Sequence, residues 1–237
     1  MNVMEFLYYP RNIKHNISSF AMAITELIFP SVKTDSASLK ELERDWPSLS
    51  KGLTDPNPGL LCAFRGWILT EDGLDVREAY REFLLFEWTS ADSFHAFIGS
   101  QQFAAFASSI RHLVTGPPTL QLFETKVSPR DAASAPMVEI IRVTVSNSEN
   151  IEKGLQIWEN TSRHLARNGE GTTSVTYGKS SNLEKDVIMG IIGWQTSKEH
   201  HDMSQKKIWS ETLESLKSLG KLSQMTVGIE AMDLGSS

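Results

Sequence analysis

The chain has 237 residues, of which 40% are hydrophobic and 22% charged, and a net charge of −6. That length admits one large domain or two small ones, and the composition is that of an ordinary soluble globular protein. The 23 basic residues are scattered, Lys206-Lys207 being their densest cluster, so the electrostatic footprint of a nucleic-acid binder is missing and no such partner is expected. A single cysteine, Cys62, excludes an intramolecular disulfide and a cysteine metal cluster; among Leu61, Ala63 and Phe64 it reads as a small hydrophobe on a strand.

Residues 1–19 combine Phe6-Leu7-Tyr8-Tyr9 with Pro10, Arg11, Lys14 and His15, which is not the apolar core of a signal peptide, and they read as an arm outside the folded part. The longest apolar stretch, Phe20 to Phe29, is too short to span a membrane. A cytoplasmic protein without a membrane partner is the expectation.

Ala21 to Phe29 reads as a strand. Leu39, Leu42, Trp46 and Leu49 then recur at helical spacing after a start cluster at Thr34-Asp35-Ser36, and Pro47 is expected to end or kink that helix. A second strand, Gly59 to Thr70, meets the turn chemistry of Glu71-Asp72-Gly73, and a third runs from Glu82 to Trp88. A helix from Ser90 to Leu113, interrupted near Gly99-Ser100, is stopped by Pro117-Pro118 and followed by a strand from Thr119 to Lys126. After a linker, Ser128 to Pro136, the order recurs. Strand Met137 to Val145 leads through a capping box at Ser146 to Glu149 into a helix marked by Ile151, Leu155 and Trp158. Strands at Thr172 to Tyr177 and Asp186 to Trp194, a capping box at Thr196 to Glu199 with its helix, and a strand from Met225 to Met232 complete it.

A slide of 106 positions carries Trp88 onto Trp194, Phe103 onto Trp209, Leu113 onto Leu219 and Glu124 onto Glu230, while one of 113 carries Glu26 onto Glu139 and Val32 onto Val145. Self-similarity at a fixed offset indicates a duplication. The domain reading is an arm (1–19), a first repeat (20–127), a linker (128–136), a second repeat (137–232) and a tail (233–237). Each repeat has the βαββαβ order of a ferredoxin-like unit, an α+β fold whose sheet has one bare apolar face. A second sheet in the same chain covers that face, so the two tandem units are expected to form one intramolecular barrel.

The strand-to-helix corner carries a resemblance. Phe83-Leu84-Leu85-Phe86-Glu87-Trp88 with Phe94, His95 and Phe103 matches Met189-Gly190-Ile191-Ile192-Gly193-Trp194 with His200, His201 and Trp209. This pattern resembles the dimeric α+β barrel superfamily, in the branch of antibiotic-biosynthesis-monooxygenase-like domains that occur in tandem in fungal proteins. The resemblance covers about residues 20 to 232. It implies the barrel fold and a family that includes cofactor-independent oxygenases, polyketide cyclases, haem degraders, lyases and proteins without catalysis, so fold alone does not name the reaction.

Candidate residues follow from chemistry. His95, His200 and His201 sit near helix starts that border the cavity in such barrels, and histidine transfers protons near neutral pH. Adjacent helical residues diverge by about 100°, so His200 and His201 cannot both face inward, and His200 is the candidate proton-transfer group. Glu26 and Glu139 lie inside apolar first strands, where a carboxyl has a raised pKa and can serve as a base, unless Arg142, Arg65 or a lysine pairs with it. Tyr177 joins them as an assisting group; His95, His201, Trp67, Tyr80 and Arg142 are candidate substrate contacts. No metal-ligand pair on one helical face, no phosphate loop and no nucleophile elbow is present, so neither metal nor cofactor is expected. The reading is a cofactor-free enzyme of secondary metabolism that cyclises, isomerises or dehydrates a small apolar, polyketide-like or aromatic molecule. The alternatives are a cofactor-independent monooxygenase and a non-catalytic binding or stress-type barrel, as monomer or homodimer.

Overall fold

A computed structural model describes residues 23–168 and 173–235; the expected arm, 1–19, lies outside them. The first unit comprises β1 (Ile24–Phe29), α1 (Ser36–Leu49), α2 (Lys51–Thr54), β2 (Leu60–Glu71), β3 (Leu74–Asp75), β4 (Glu82–Trp88), α3 (Ala91–Ile98), α4 (Gln101–Ile110) and β5 (Thr119–Thr125). A short helix, α5 (Arg130–Ala133), precedes the second unit: β6 (Met137–Val145), α6 (Asn150–Asn168), β7 (Ser174–Ser180), β8 (Val187–Trp194), α7 (Ser197–Ser204), α8 (Lys207–Lys217) and β9 (Gly220–Ala231).

The strands run in the order β3-β2-β4-β1-β5-β7-β8-β6-β9, and β9 pairs back onto β2. Two tandem βαββαβ units thus close one barrel of eight strands, with β3 a short extension of the β2 hairpin. Closure follows from alternation. One set of side chains, including Leu27, Phe64, Phe83, Leu85, Phe123, Ile140, Met189, Ile191 and Met225, fills the barrel. The opposite set packs under the helices, as one cluster around Trp88 and Phe94 and another around Trp158 and Trp194. Strands buried on both faces read as continuous apolar runs, and every residue of β4 and β8 is buried.

Matching registers relate the units: Ile24 pairs with Trp88 as Met137 pairs with Trp194. The last strands match differently. Thr25 pairs with Phe123 and Val138 with Val227, an offset of 227 − 123 = 104, so Glu124 and Glu230 do not occupy equivalent places. The linker is structured: Ala132 and Ala133 are buried in the barrel's interior cluster, and Arg130 Nη2 donates to Leu61 O at 2.6 Å. These contacts, with Ser128 Oγ on Glu87 Oε2 at 2.8 Å, plug the barrel end where β2 and β6 begin and β4 ends.

Local signals account for most element ends. Asp35 caps α1 by accepting from Ser38 N at 3.0 Å. The helix runs to Leu49, past Pro47, which lacks the N–H that would bond the carbonyl of Glu43 four residues back and so costs the ladder one hydrogen bond. Asp72 (φ 48°) and Gly73 (φ 82°) form the hairpin turn, which needs two left-handed residues. The first expected capping box is rearranged: Asn147, not Ser146, accepts from Glu149 N (3.1 Å), while Ser146 Oγ donates to Leu219 O (2.9 Å). The second holds, with Thr196 Oγ1 accepting from Glu199 N at 3.0 Å and Glu199 reaching back to Gln195 N at 2.9 Å. Thr196→Ala is expected to lower stability by about 1 kcal/mol, seen as a lower urea midpoint with an unchanged slope.

Candidate functional site

The outward faces of β1 and β4 present Glu26, Ile28, Glu82, Leu84, Phe86 and Trp88 to the helices of the first unit. Between this face and α1–α4 lies an apolar cavity, closed above by Leu42, Trp46, Leu53, Phe97, Phe103 and Phe106. Its volume is about 90 Å³, small beside the roughly 300–1,000 Å³ of drug-sized sites.

Two carboxyl groups line this cavity, in different environments. Glu26 is 1% exposed, and its Oε2 accepts from Trp88 Nε1 at 2.7 Å. Burial pushes its pKa up to about 8, against the smaller opposing pull of the indole hydrogen bond. Glu82 Oε1 accepts from Arg65 Nε at 2.5 Å. Arg65 reaches on to Glu43 Oε1 at 2.8 Å and lies over the Trp46 ring, 4.0 Å from its centroid. Burial raises the Glu82 pKa, and the Arg65 charge works against it.

The second unit fills the equivalent space. Gly190 stands where the first unit has Leu84, and a Cβ there would come within 2.2 Å of the Trp158 ring. Glycine therefore lets Trp158 lie on the sheet, wholly buried. Leu84 denies Trp46 that position, and Trp46 sits half-buried beneath Arg65 instead. Glu139, also inaccessible, accepts from Trp194 Nε1 at 2.9 Å and from Gln224 Nε2. His200 Nε2 is 3.6 Å from Glu139 Oε2, and this carboxylate raises the imidazole's pKa against the opposing effect of burial. The expected arginine or lysine partners of Glu26 and Glu139 are thus replaced by tryptophan N–H groups. An indole on the neighbouring strand satisfies a buried carboxyl oxygen without burying a second charge.

The candidate residues fall in several places. Glu26 lines the cavity. His200 pairs with Glu139 outside it, at 25% side-chain exposure, and His201 is exposed. His95 packs against the Phe94 ring at 5.2 Å between centroids. Tyr177 faces α6, near Glu159 and Arg163, with its phenol pKa raised chiefly by burial. Trp67 and Tyr80 meet edge to face at 6.5 Å in a shallow outer groove with Leu39 and Leu69, not in the cavity. Arg142 projects into the barrel, where Nη1 donates to Gln121 Oε1 at 3.0 Å and the guanidinium lies 5.1 Å from the Phe29 ring centroid. Glu82 and its partner Arg65 were not among the expected site residues. The one signal for them is a charged residue opening a strand that is apolar but for Glu87. Cys62 is a buried strand residue whose thiol, pushed up to about 12 by burial, lies 3.5 Å from Glu87 Oε2.

Among the described residues no cluster of three or more His, Cys, Asp or Glu is placed to hold a metal ion, and no helix is long and apolar enough to cross a membrane. No protein-family model and no curated protein matches the chain. Solved structures do match. An anthrone oxidase-like protein superposes with a TM-score of 0.63 at 11% identity, covering 93% of this chain and 97% of its own. A candidate monooxygenase from Fusobacterium nucleatum subsp. nucleatum gives 0.62 at 15%, covering 92% and 97%. Another from Lactobacillus acidophilus gives 0.60 at 9%, covering 90% and 97%. At these identities the likeness is one of fold, that of the dimeric α+β barrel.

Proposed function

We propose that the chain is a cofactor-free enzyme for a small, largely apolar molecule, with the first unit as its catalytic half and Glu26 as its proton-transfer group. The observation that carries this reading is a buried carboxyl without a basic partner among the described residues, on the wall of an apolar cavity, held by one indole N–H, its pKa raised to about 8 by burial. A carboxylate in such a place is a strong base, and a pKa close to the working pH suits a group that both takes and returns a proton. Its natural substrate has an acidic C–H beside a carbonyl. Glu26 carboxylate takes that proton, the electron pair moves onto the carbonyl oxygen, and the neutral acid returns the proton to another carbon or to a departing hydroxyl. Isomerisation, dehydration and cyclisation all begin in this way. His200, first in line from residue chemistry, has the role of an ion-pair partner to Glu139.

A second reading, a cofactor-independent monooxygenase, takes support from the names of the fold neighbours. It shares the first step and differs in that the carbanion meets O₂.

The test is exchange of α-hydrogens for solvent deuterium in a panel of apolar aryl ketones, followed by mass spectrometry, with O₂ uptake recorded alongside. Glu26→Gln, which still accepts from Trp88, is expected to slow exchange by about 10²–10⁴-fold. His200→Ala is expected to leave it unchanged, and the wild-type rate should rise with pH and level off above about 8. Exchange at the wild-type rate in Glu26→Gln would overturn the reading; O₂ uptake matching substrate loss would select the oxygenase form.

A further inference from the structure

The cavity has two polar ends. Glu26 pairs with Phe86 across β1 and β4, and Glu82 lies four residues further along β4 on the same face. At about 3.3 Å per residue the two carboxyl-bearing positions stand roughly 13 Å apart. The wall between them, built from Leu84, Phe86, Phe97 and Leu120, is apolar. Each carboxyl has one oxygen engaged, Oε2 of Glu26 by Trp88 and Oε1 of Glu82 by Arg65. The other oxygen of each accepts no hydrogen bond from the described residues.

The Arg65–Glu82 pair is not something the fold requires. Arg65 is the strand partner of Leu84, and Tyr177 that of Gly190, the residue matching Leu84. The second unit therefore has Tyr177 for Arg65 and, by the same offset of 106, Ile188 for Glu82. Where Trp158 fills the space, the ion pair is absent; where the cavity is open, it stands at the wall. Placing a carboxylate at an apolar wall is costly, so a use for its remaining oxygen is the natural explanation.

We infer that Glu82, positioned by Arg65, reads the far end of the ligand, accepting a hydrogen bond from a hydroxyl on an elongated apolar body whose carbonyl end meets Glu26. Charge and burial together select the donor. Arg65 is shared between Glu82 and Glu43, so the three groups carry one net negative charge and repel an anion, while the apolar wall makes burying a charged ammonium costly. A neutral alcohol or phenol about 10 Å from the carbonyl satisfies the free oxygen. This rests on the cavity assignment above and adds the ligand's second functional group to it.

The experiment measures binding, by tryptophan fluorescence, of an acetylnaphthalene bearing a hydroxyl on the far ring, of its methyl ether, and of the unsubstituted parent. Wild type is expected to bind the hydroxylated probe about 10- to 100-fold more tightly than the other two, the range for a buried hydrogen bond to a charged acceptor. The double variant Arg65→Tyr/Glu82→Ile, which installs the second unit's pair and takes an arginine partner only from the solvent-exposed Glu43, is expected to bind all three alike. Glu82→Gln, which retains the shape and a partner for Arg65, is expected to reduce the preference if the double variant does not fold. Equal binding of the three probes by wild type, or an undiminished preference in the variants, overturns the inference while leaving deuterium exchange by Glu26 intact. Binding of none of them overturns both. A Glu26→Gln protein that keeps the hydroxyl preference but has lost exchange supports both.

Discussion

Trp158→Ala is expected to destabilise the protein by about 3 kcal/mol and to open a cavity in the second unit. Truncating a buried tryptophan costs about 3–5 kcal/mol, and Trp158 is wholly buried against Gly190. The lower end applies because the indole Nε1 has no hydrogen-bond partner among the described residues, so its removal relieves a buried unsatisfied donor. The facing Gly190 has no side chain to move into the gap, so the space stays open. Urea denaturation gives the loss, and a rise in melting temperature with benzene or xenon, in the variant alone, reports the cavity. A variant as stable as wild type and indifferent to such ligands would mean that Trp158 does not fill the second unit.

The second large effect concerns pH. Glu26 has a pKa of about 8 when folded against 4.5 as its reference, so the folded state holds the proton more tightly than the unfolded one. Its contribution is complete below pH 4.5, is lost progressively as pH rises, and is gone once pH passes about 8. At about 1.4 kcal/mol per unit the loss is on the order of 3–5 kcal/mol, the smaller value if water follows the charge into the cavity. His200, with a raised pKa of its own, loses stability in the same direction as pH rises. A comparison of wild type with Glu26→Gln isolates the carboxyl: the difference in their stabilities should shift in favour of the variant between pH 5 and pH 8.5, by the same order of 3–5 kcal/mol. Parallel curves would show that Glu26 is not held neutral.

Much of this architecture is legible in the chain, for reasons visible at particular residues. The apolar runs of β4 and β8, the Asp72-Gly73 turn and the Thr196 cap are local signals, and the fold agrees with them. The burial of Glu26 and Glu139 is legible too, because a lone carboxylate in an apolar strand has few places to go. Their partners are not: Trp88 and Trp194 lie on neighbouring strands, and only register brings their indoles to the carboxyls. The cavity is less legible still, since it turns on whether Leu84 or Gly190 faces the tryptophan of the overlying helix. The role of His200 is obscured for the same reason; its neighbour Glu139 sits 61 residues away in the chain and is met only in the folded unit.

A ribosome delivers β2 long before the strand that completes it. Phe64 pairs with Ala231, and Glu71 with Met225, so one edge of β2 has no partner until β9 has been made. From the end of β5 at Thr125 to Ala231 there are 231 − 125 = 106 residues, which take roughly 5–20 s to synthesise. Throughout that interval the nascent first unit presents both an unpaired strand edge, a template for mispairing between chains, and the apolar face later covered by the second sheet. Intramolecular closure spares the finished protein a search for a partner subunit, and it moves the period of greatest aggregation risk into translation.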